Sequence, residues 1–260
     1  VLPAKGRFSV MIGYESAGQG NALVFLHGAL VDRRMWRAQA DAFSDRYRVV
    51  CVDLPGHGES AGMPVQSVKA MAETVIALLD SLSIDRFLLC GHSLGGMVAQ
   101  EITLRYPGRV RGLILAESSF GTASSLAERL GTASTRMMLR LMTQKQLVRL
   151  SATSYGKLHP AVKAYIEAAM GAYDIQTSRA VMGAALEYSS RDGLGDIRCP
   201  VLILAAACNR QTHRQARQFT KLIHGAEMEM IPNALHLLNL DQPAAFNETV
   251  ARFLGKHELT

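Results

Sequence analysis

The stretch Arg86–Val98, RFLLCGHSLGGMV, holds the residues best suited to covalent chemistry. A short apolar run, Phe87-Leu88-Leu89-Cys90, leads into Gly91-His92-Ser93-Leu94-Gly95 and then into helix-compatible sequence from Gly96. A serine between two glycines at an abrupt strand-to-helix turn is a nucleophile in a strained backbone conformation, with its hydroxyl exposed. Gly91 and Gly95 are needed because a β-carbon at either position would collide with neighbouring backbone. The helix that follows aims its N-terminal amides, with their partial positive charge, at any anion that forms on a substrate attached to Ser93. Serine alone is a poor nucleophile near neutral pH, so this chemistry also needs an adjacent base.

The elements that would position Ser93 alternate in type. Phe8–Glu15 and Ala22–His27 read as strands around the turn-forming Ala17-Gly18-Gln19-Gly20-Asn21. Met35–Ser44 has helical spacing, Tyr47–Asp53 is a strand, and Leu54-Pro55-Gly56-His57-Gly58-Glu59-Ser60 makes a rigid turn before the helix Gln66–Leu82. The helix Gly96–Tyr106 stops at Pro107-Gly108, and the strand Val110–Ala116 ends at Glu117. From Gly121 to about Arg191 the pattern becomes helical throughout, rich in Met, Leu and Ala. Alternation then resumes with strand Pro200–Ala206, helix Thr212–Ile223, strand Glu227–Ile231, loop Pro232–Leu240 and helix Pro243–Leu254. This order predicts an α/β fold with a mostly parallel, doubly wound sheet covered on both faces. Residues 1–120 and 192–260 form the core domain in this reading, and 121–191 an inserted helical cap over the strand ends, where open α/β sheets place ligands. Gly56-x-Gly58-x-x-Ala61 imitates a dinucleotide fingerprint, but Gly62-Met63-Pro64 follows, so these glycines do not open a helix.

Composition narrows the function classes. The chain has 260 residues, 48% hydrophobic and 19% charged, which excludes disorder and allows a full core. No apolar run approaches a membrane span, and the N-terminal VLPAKGRFSVMIGY lacks the charged start and apolar block of a secretion signal. Cys51, Cys90, Cys199 and Cys208 show no C-x-x-C spacing, and two of them fall within expected core strands, so reduced thiols and a cytoplasmic location are expected. A net charge of +6 is spread without basic runs, and aromatics make up only 6%, so nucleic acid is not an expected partner. No two histidines share metal-ligand spacing on one element, so neither a metal nor another cofactor is expected.

The elbow at Ser93, the His27-Gly28 turn, the segment DLPGHGES and a late histidine occur in an order that resembles the α/β-hydrolase family over about residues 8 to 255. The resemblance implies that Ser93 is the nucleophile and that His236, after the last strand, is its base. It also implies an oxyanion hole made by the backbone amides of Ala29 and Leu94. His92 is expected to pack beside the serine, His57 to belong to its turn, and His27 to fix the loop after it. His159, His213, His224 and His257 are expected at the surface or on the cap. Trp36 reads as core packing.

The chain departs from the family at the acid that orients the histidine. That acid usually follows the strand corresponding to Pro200–Ala206, where this chain has Asn209. Asparagine can hold a hydrogen bond but cannot stabilise an imidazolium, so Asn209 reads either as a polar helper or as an engineered or inactivating change. Glu117, which closes the strand after the nucleophile's, replaces it, as in some members of the family, including one haloalkane dehalogenase subgroup. The triad is therefore expected to be Ser93–His236–Glu117, with Asp241 capping the last helix.

Met137, Met138, Met142, Met170 and Met182 are expected mainly within the core of the cap, with a minority facing the cleft. Residues 121–150 carry Arg129, Arg136, Arg140, Lys145 and Arg149 against Glu128 alone, either a solvated face or a docking surface for an anionic carrier. The expected activity is cofactor-independent hydrolysis of a small-molecule carboxylic ester, with an apolar acyl part, through an acyl-enzyme on Ser93. Lactone opening, thioester hydrolysis, carbon–carbon bond hydrolysis and a non-catalytic ligand-binding role remain as alternatives.

Overall fold

β1 (Tyr14–Ala17), β2 (Ala22–Leu26), β3 (Arg48–Val52), β4 (Phe87–His92), β5 (Val110–Ala116), β6 (Val201–Ala206) and β7 (Glu227–Ile231) form one seven-stranded sheet, in the spatial order β1-β3-β2-β4-β5-β6-β7. The structure, a computed structural model, describes residues 12–121 and 126–259. Phe8–Met11 of the first expected strand and the side chains of Glu128 and Arg129 lie outside the described residues. β1 is antiparallel to β3, and all the other pairings are parallel. Every residue of β2, β4 and β6 is buried, the continuous apolar reading expected of strands covered on both faces. The register sets Leu26 beside Gly91, His92 beside Ala116, and Ala116 beside Leu204. The carboxyl ends of four neighbouring strands therefore open onto one edge, and the order reverses at β2, between β3 and β4.

Helices cover the sheet because their apolar positions repeat at helical spacing. α1 (Arg37–Phe43) follows a 3₁₀ turn at Arg33–Trp36, so the expected single helix over Met35–Ser44 is divided in two. Asp32 starts that turn by accepting from the Arg34 amide. α2 (Val68–Ser81) buries Val68, Met71, Ala72, Val75, Ile76 and Leu79 on one face and is capped by Ser67. α3 (Leu94–Arg105) starts directly after Ser93, two residues before the expected Gly96, and packs between its own strand and β5. Trp36 is fully buried against Phe25 and Phe246, as core packing requires. Cys51 and Cys90 are buried and free.

Between β5 and β6 the chain makes α4 (Leu126–Leu141), α5 (Gln144–Tyr155), α6 (Pro160–Gly171) and α7 (Ile175–Glu187). A bridge between Gly121 and Ser189 joins the points where this segment leaves and returns. A capping box at Thr143 and Gln146 starts α5, which packs on α6, while α4 packs on α7. α8 (His213–Leu222), α9 (Leu238–Asp241) and α10 (Pro243–Lys256) complete the order, α9 lying where the sequence suggested only a loop. Among the described residues no helix is long and apolar enough to cross a membrane.

Candidate active site

Ser93 leaves β4 with φ 51° and ψ −114°, a conformation few non-glycine residues adopt, and its carbonyl at once accepts from the Gly96 amide. The neighbouring glycines make this turn possible. A β-carbon at Gly95 would stand 2.2 Å from the Leu26 carbonyl oxygen, and one at Gly91 2.3 Å from the Gly95 oxygen. Gly28 is equally constrained, since a β-carbon there would come within 2.6 Å of His92 Nδ1.

The structure brings Ser93, His236 and Glu117 into one hydrogen-bonded row. Ser93 Oγ lies 3.1 Å from His236 Nε2, and His236 Nδ1 lies 3.2 Å from Glu117 Oε2. A carboxylate only accepts, so Nδ1 carries the proton and Nε2 is left to receive one from the serine. Glu117 directly follows β5 with φ 48°, and its side chain is fully buried. It is held there by donors: the Ala206 amide at 2.7 Å, the Thr212 hydroxyl at 2.9 Å and the Asn209 side-chain amide. Asn209 thus points at the carboxylate rather than at His236. Thr212, three residues beyond Asn209, was not anticipated. The sequence marks it only as the first residue of the helix Thr212–Ile223.

His236 stands on a loop fixed from two sides. His92 Nε2 donates to the His236 carbonyl oxygen at 2.6 Å, so this neighbour of Ser93 has a definite structural bond. Asp241 does not cap α10 as expected. Its Oδ2 accepts from the Leu235 amide at 2.7 Å, because the turn of α9 brings it back under the loop. Tyr155 of α5 lies over the His236 ring, with centroids 4.8 Å apart.

Three other histidines at this edge are structural and uncharged near neutral pH. His27 donates from Nδ1 to the Gly28 oxygen and accepts the Leu54 amide at Nε2. His57 donates from Nδ1 to the Pro55 oxygen and accepts the Leu30 amide at Nε2. Burial pushes His27 down to about 4 and His57 and His92 each down to about 3. Together they brace the loop Gly28–Val31, which Tyr165 and Tyr173 also clasp through Asp32 and the Val31 carbonyl. His213, expected at the surface or on the cap, is partly buried and bonds the Ala206 oxygen.

Ala29 and Leu94 both line a cavity of about 610 Å³ that Ser93 and His236 line as well. Neither backbone amide has a hydrogen-bond acceptor among the described residues. Leu94 is the first residue of α3, where helix geometry leaves the amide unpaired. The cavity also takes in Met138, Met170 and Met182, so most of the five cap methionines do not form a separate core; Met137 is exposed. Among the described residues no group of histidines, cysteines and carboxylates could hold a metal ion.

Comparison with known proteins extends these observations. The chain is 29% identical to the 3-oxoadipate enol-lactonase 2 of Acinetobacter baylyi, over 93% of this chain and 92% of that one. It is 28% identical to the pimeloyl-[acyl-carrier protein] methyl ester esterase of Nitrosospira multiformis, over 94% and 98%. A thermophilic esterase from Thermogutta terrifontis superposes with a TM-score of 0.85 at 25% identity, covering 95% of this chain and 93% of the other. The sequence pattern of the alpha/beta hydrolase family matches residues 23–249, from within β2 to within α10. That span contains the whole parallel sheet apart from Ala22, and the chain therefore belongs to the alpha/beta hydrolase family.

Proposed function

We propose that the protein is a serine hydrolase that cleaves a carboxylic ester through an acyl-enzyme on Ser93. The reading rests above all on the row Ser93–His236–Glu117, whose Ser93 and His236 share one cavity with two acceptor-free amides. His236 Nε2 takes the Ser93 proton as Oγ attacks the ester carbonyl, and Glu117 balances the imidazolium. The amides of Ala29 and Leu94 hold the oxyanion of the tetrahedral intermediate. Collapse expels the alcohol, which takes its proton from His236. Water, deprotonated by His236 in turn, then releases the acid and regenerates Ser93. In this reading residues 121–191 are a cap over the core formed by 1–120 and 192–260, and the enzyme works in the cytoplasm.

Lactone opening is a second reading, favoured by the likeness to an enol-lactonase. The steps are the same, except that the leaving alcohol stays tethered to the acyl group. A finer proposal concerns the basic residues of 136–149, where Arg140, Lys145 and Arg149 are exposed and Arg136 pairs with Glu187. An anionic acyl carrier would dock there, beside the cavity.

Short p-nitrophenyl esters test the main reading. Wild-type protein is expected to turn them over, and Ser93→Ala to lose at least about 10³-fold in kcat. Absence of turnover in the wild type, or turnover that survives the substitution, overturns it and favours a ligand-binding role.

A further inference from the structure

The cavity wall is divided in a way that bears on which esters fit. Most of it, carried by α3, α4, α6 and α7, is apolar. α5 differs: Leu147, Leu150, Ser151, Ser154 and Tyr155 line the cavity at the spacing of one helix face. The hydroxyls of Ser151, Ser154 and Tyr155 have no hydrogen-bond partner among the described residues. Several helical hydroxyls elsewhere in the chain instead bond back to the preceding turn. Thr74 bonds back to the Ala70 oxygen at 2.9 Å, Thr103 to Ala99 at 2.8 Å and Thr135 to Gly131 at 3.0 Å. Three hydroxyls without a protein partner, on one face of a mostly apolar cavity, are available to a ligand.

Their position assigns them to one part of the substrate. Tyr155 lies over the ring of His236, and burial, then the nearby Glu117 charge, push its phenol above the ordinary value, so it remains a donor. Gln211, which also lines the cavity, adjoins Thr212, one of the residues that hold Glu117. The spare polar groups therefore collect on the His236–Glu117 side of Ser93. In acyl transfer the leaving alcohol must lie on that side, because His236 Nε2 returns its proton to the leaving oxygen.

We propose that Ser151, Ser154, Tyr155 and Gln211 form a leaving-group subsite for an alcohol that carries its own hydroxyl or carbonyl groups, the apolar remainder of the cavity receiving the acyl chain. The substrate class is then an ester of an uncharged, oxygenated alcohol with an apolar acid. This proposal rests on the serine-hydrolase reading above.

The test compares two butyrate esters of matched shape, 2,3-dihydroxypropyl butyrate and 2-methylbutyl butyrate, by acid release in a pH-stat. Wild-type protein is expected to favour the dihydroxy ester about tenfold in kcat/KM, the worth of one or two neutral hydrogen bonds. Ser151→Ala/Ser154→Ala is expected to bring that ratio to within about twofold of unity. Thr153→Ala, exposed on the same helix but outside the cavity lining, is expected to keep the wild-type ratio. A wild-type ratio at or below unity, or a ratio unchanged in the double variant, overturns the subsite. If p-nitrophenyl butyrate is hydrolysed while the ratio is flat, only the subsite fails. If no ester is hydrolysed, the serine-hydrolase reading fails with it.

Discussion

β5 and β6 run side by side, with Leu113 opposite Val201 and Ala116 opposite Leu204, but their carboxyl ends carry opposite halves of one hydrogen bond. β5 stops at Ala116 and turns at once, at positive φ, into Glu117. β6 continues to Ala206 and places Asn209 beyond a short turn, where the family usually keeps its acid. The carboxylate accepts from the Asn209 amide, from Thr212 and from the Ala206 backbone, which leaves Oε2 also facing His236. A second carboxylate at 209 would repel the first, whereas an amide donates to it. With the carboxylate at the end of β5, the corresponding position after β6 is a donor site, and the two strand ends share one hydrogen-bond network.

Substitutions that exchange or weaken the two halves test that arrangement, the most damaging first. Glu117→Gln keeps the shape but offers no charge to the imidazolium and admits the wrong His236 tautomer. A loss in kcat on the order of 10⁴-fold is expected, as in serine-protease triads. Adding Asn209→Asp to that variant returns a carboxylate to the β6 end and is expected to recover about tenfold. Recovery to wild-type rates would mean that the β5 position has no special role.

Asn209→Asp alone replaces a charge-assisted hydrogen bond, worth about 1.5–3 kcal/mol, with like-charge repulsion, and a loss of about 10²-fold is expected. The repulsion raises the proton affinity of the pair in the folded state. The variant's stability deficit against wild type should therefore shrink as pH falls from 7.5 to 5, measured as urea midpoints. Unimpaired activity at neutral pH would show that Asn209 does not serve the carboxylate. Thr212→Val removes one donor from Oε1 while the Ala206 amide remains. Its expected cost is about three- to tenfold in kcat, and a loss as large as that of Glu117→Gln would make Thr212 the principal anchor.

Much of this site can be read along the chain because the chemistry is local. The glycines at 91 and 95, the apolar strand before them and the helix after them force a strained turn at Ser93, and Glu117 stands out as a charge closing an apolar strand. Other roles depend on residues far apart in sequence. Asp241 looks like a helix cap until α9 folds it back onto the Leu235 amide, and Thr212 looks like a helix start until β6 sets it against Glu117. The methionines of the helical segment carry no sign of which face meets the cavity.

The order of strands and helices and the strained turn at Ser93 follow from the sequence itself, since short-range sterics and hydrophobic periodicity act between residues close in the chain. Only the tertiary structure decides which acceptor meets which donor. Glu117 and Asn209 stand 92 residues apart, and whether their side chains meet depends on the register of β5 against β6. The same holds for the free hydroxyls of α5: the sequence places them on one helix face, but only the packing of that helix turns the face toward His236.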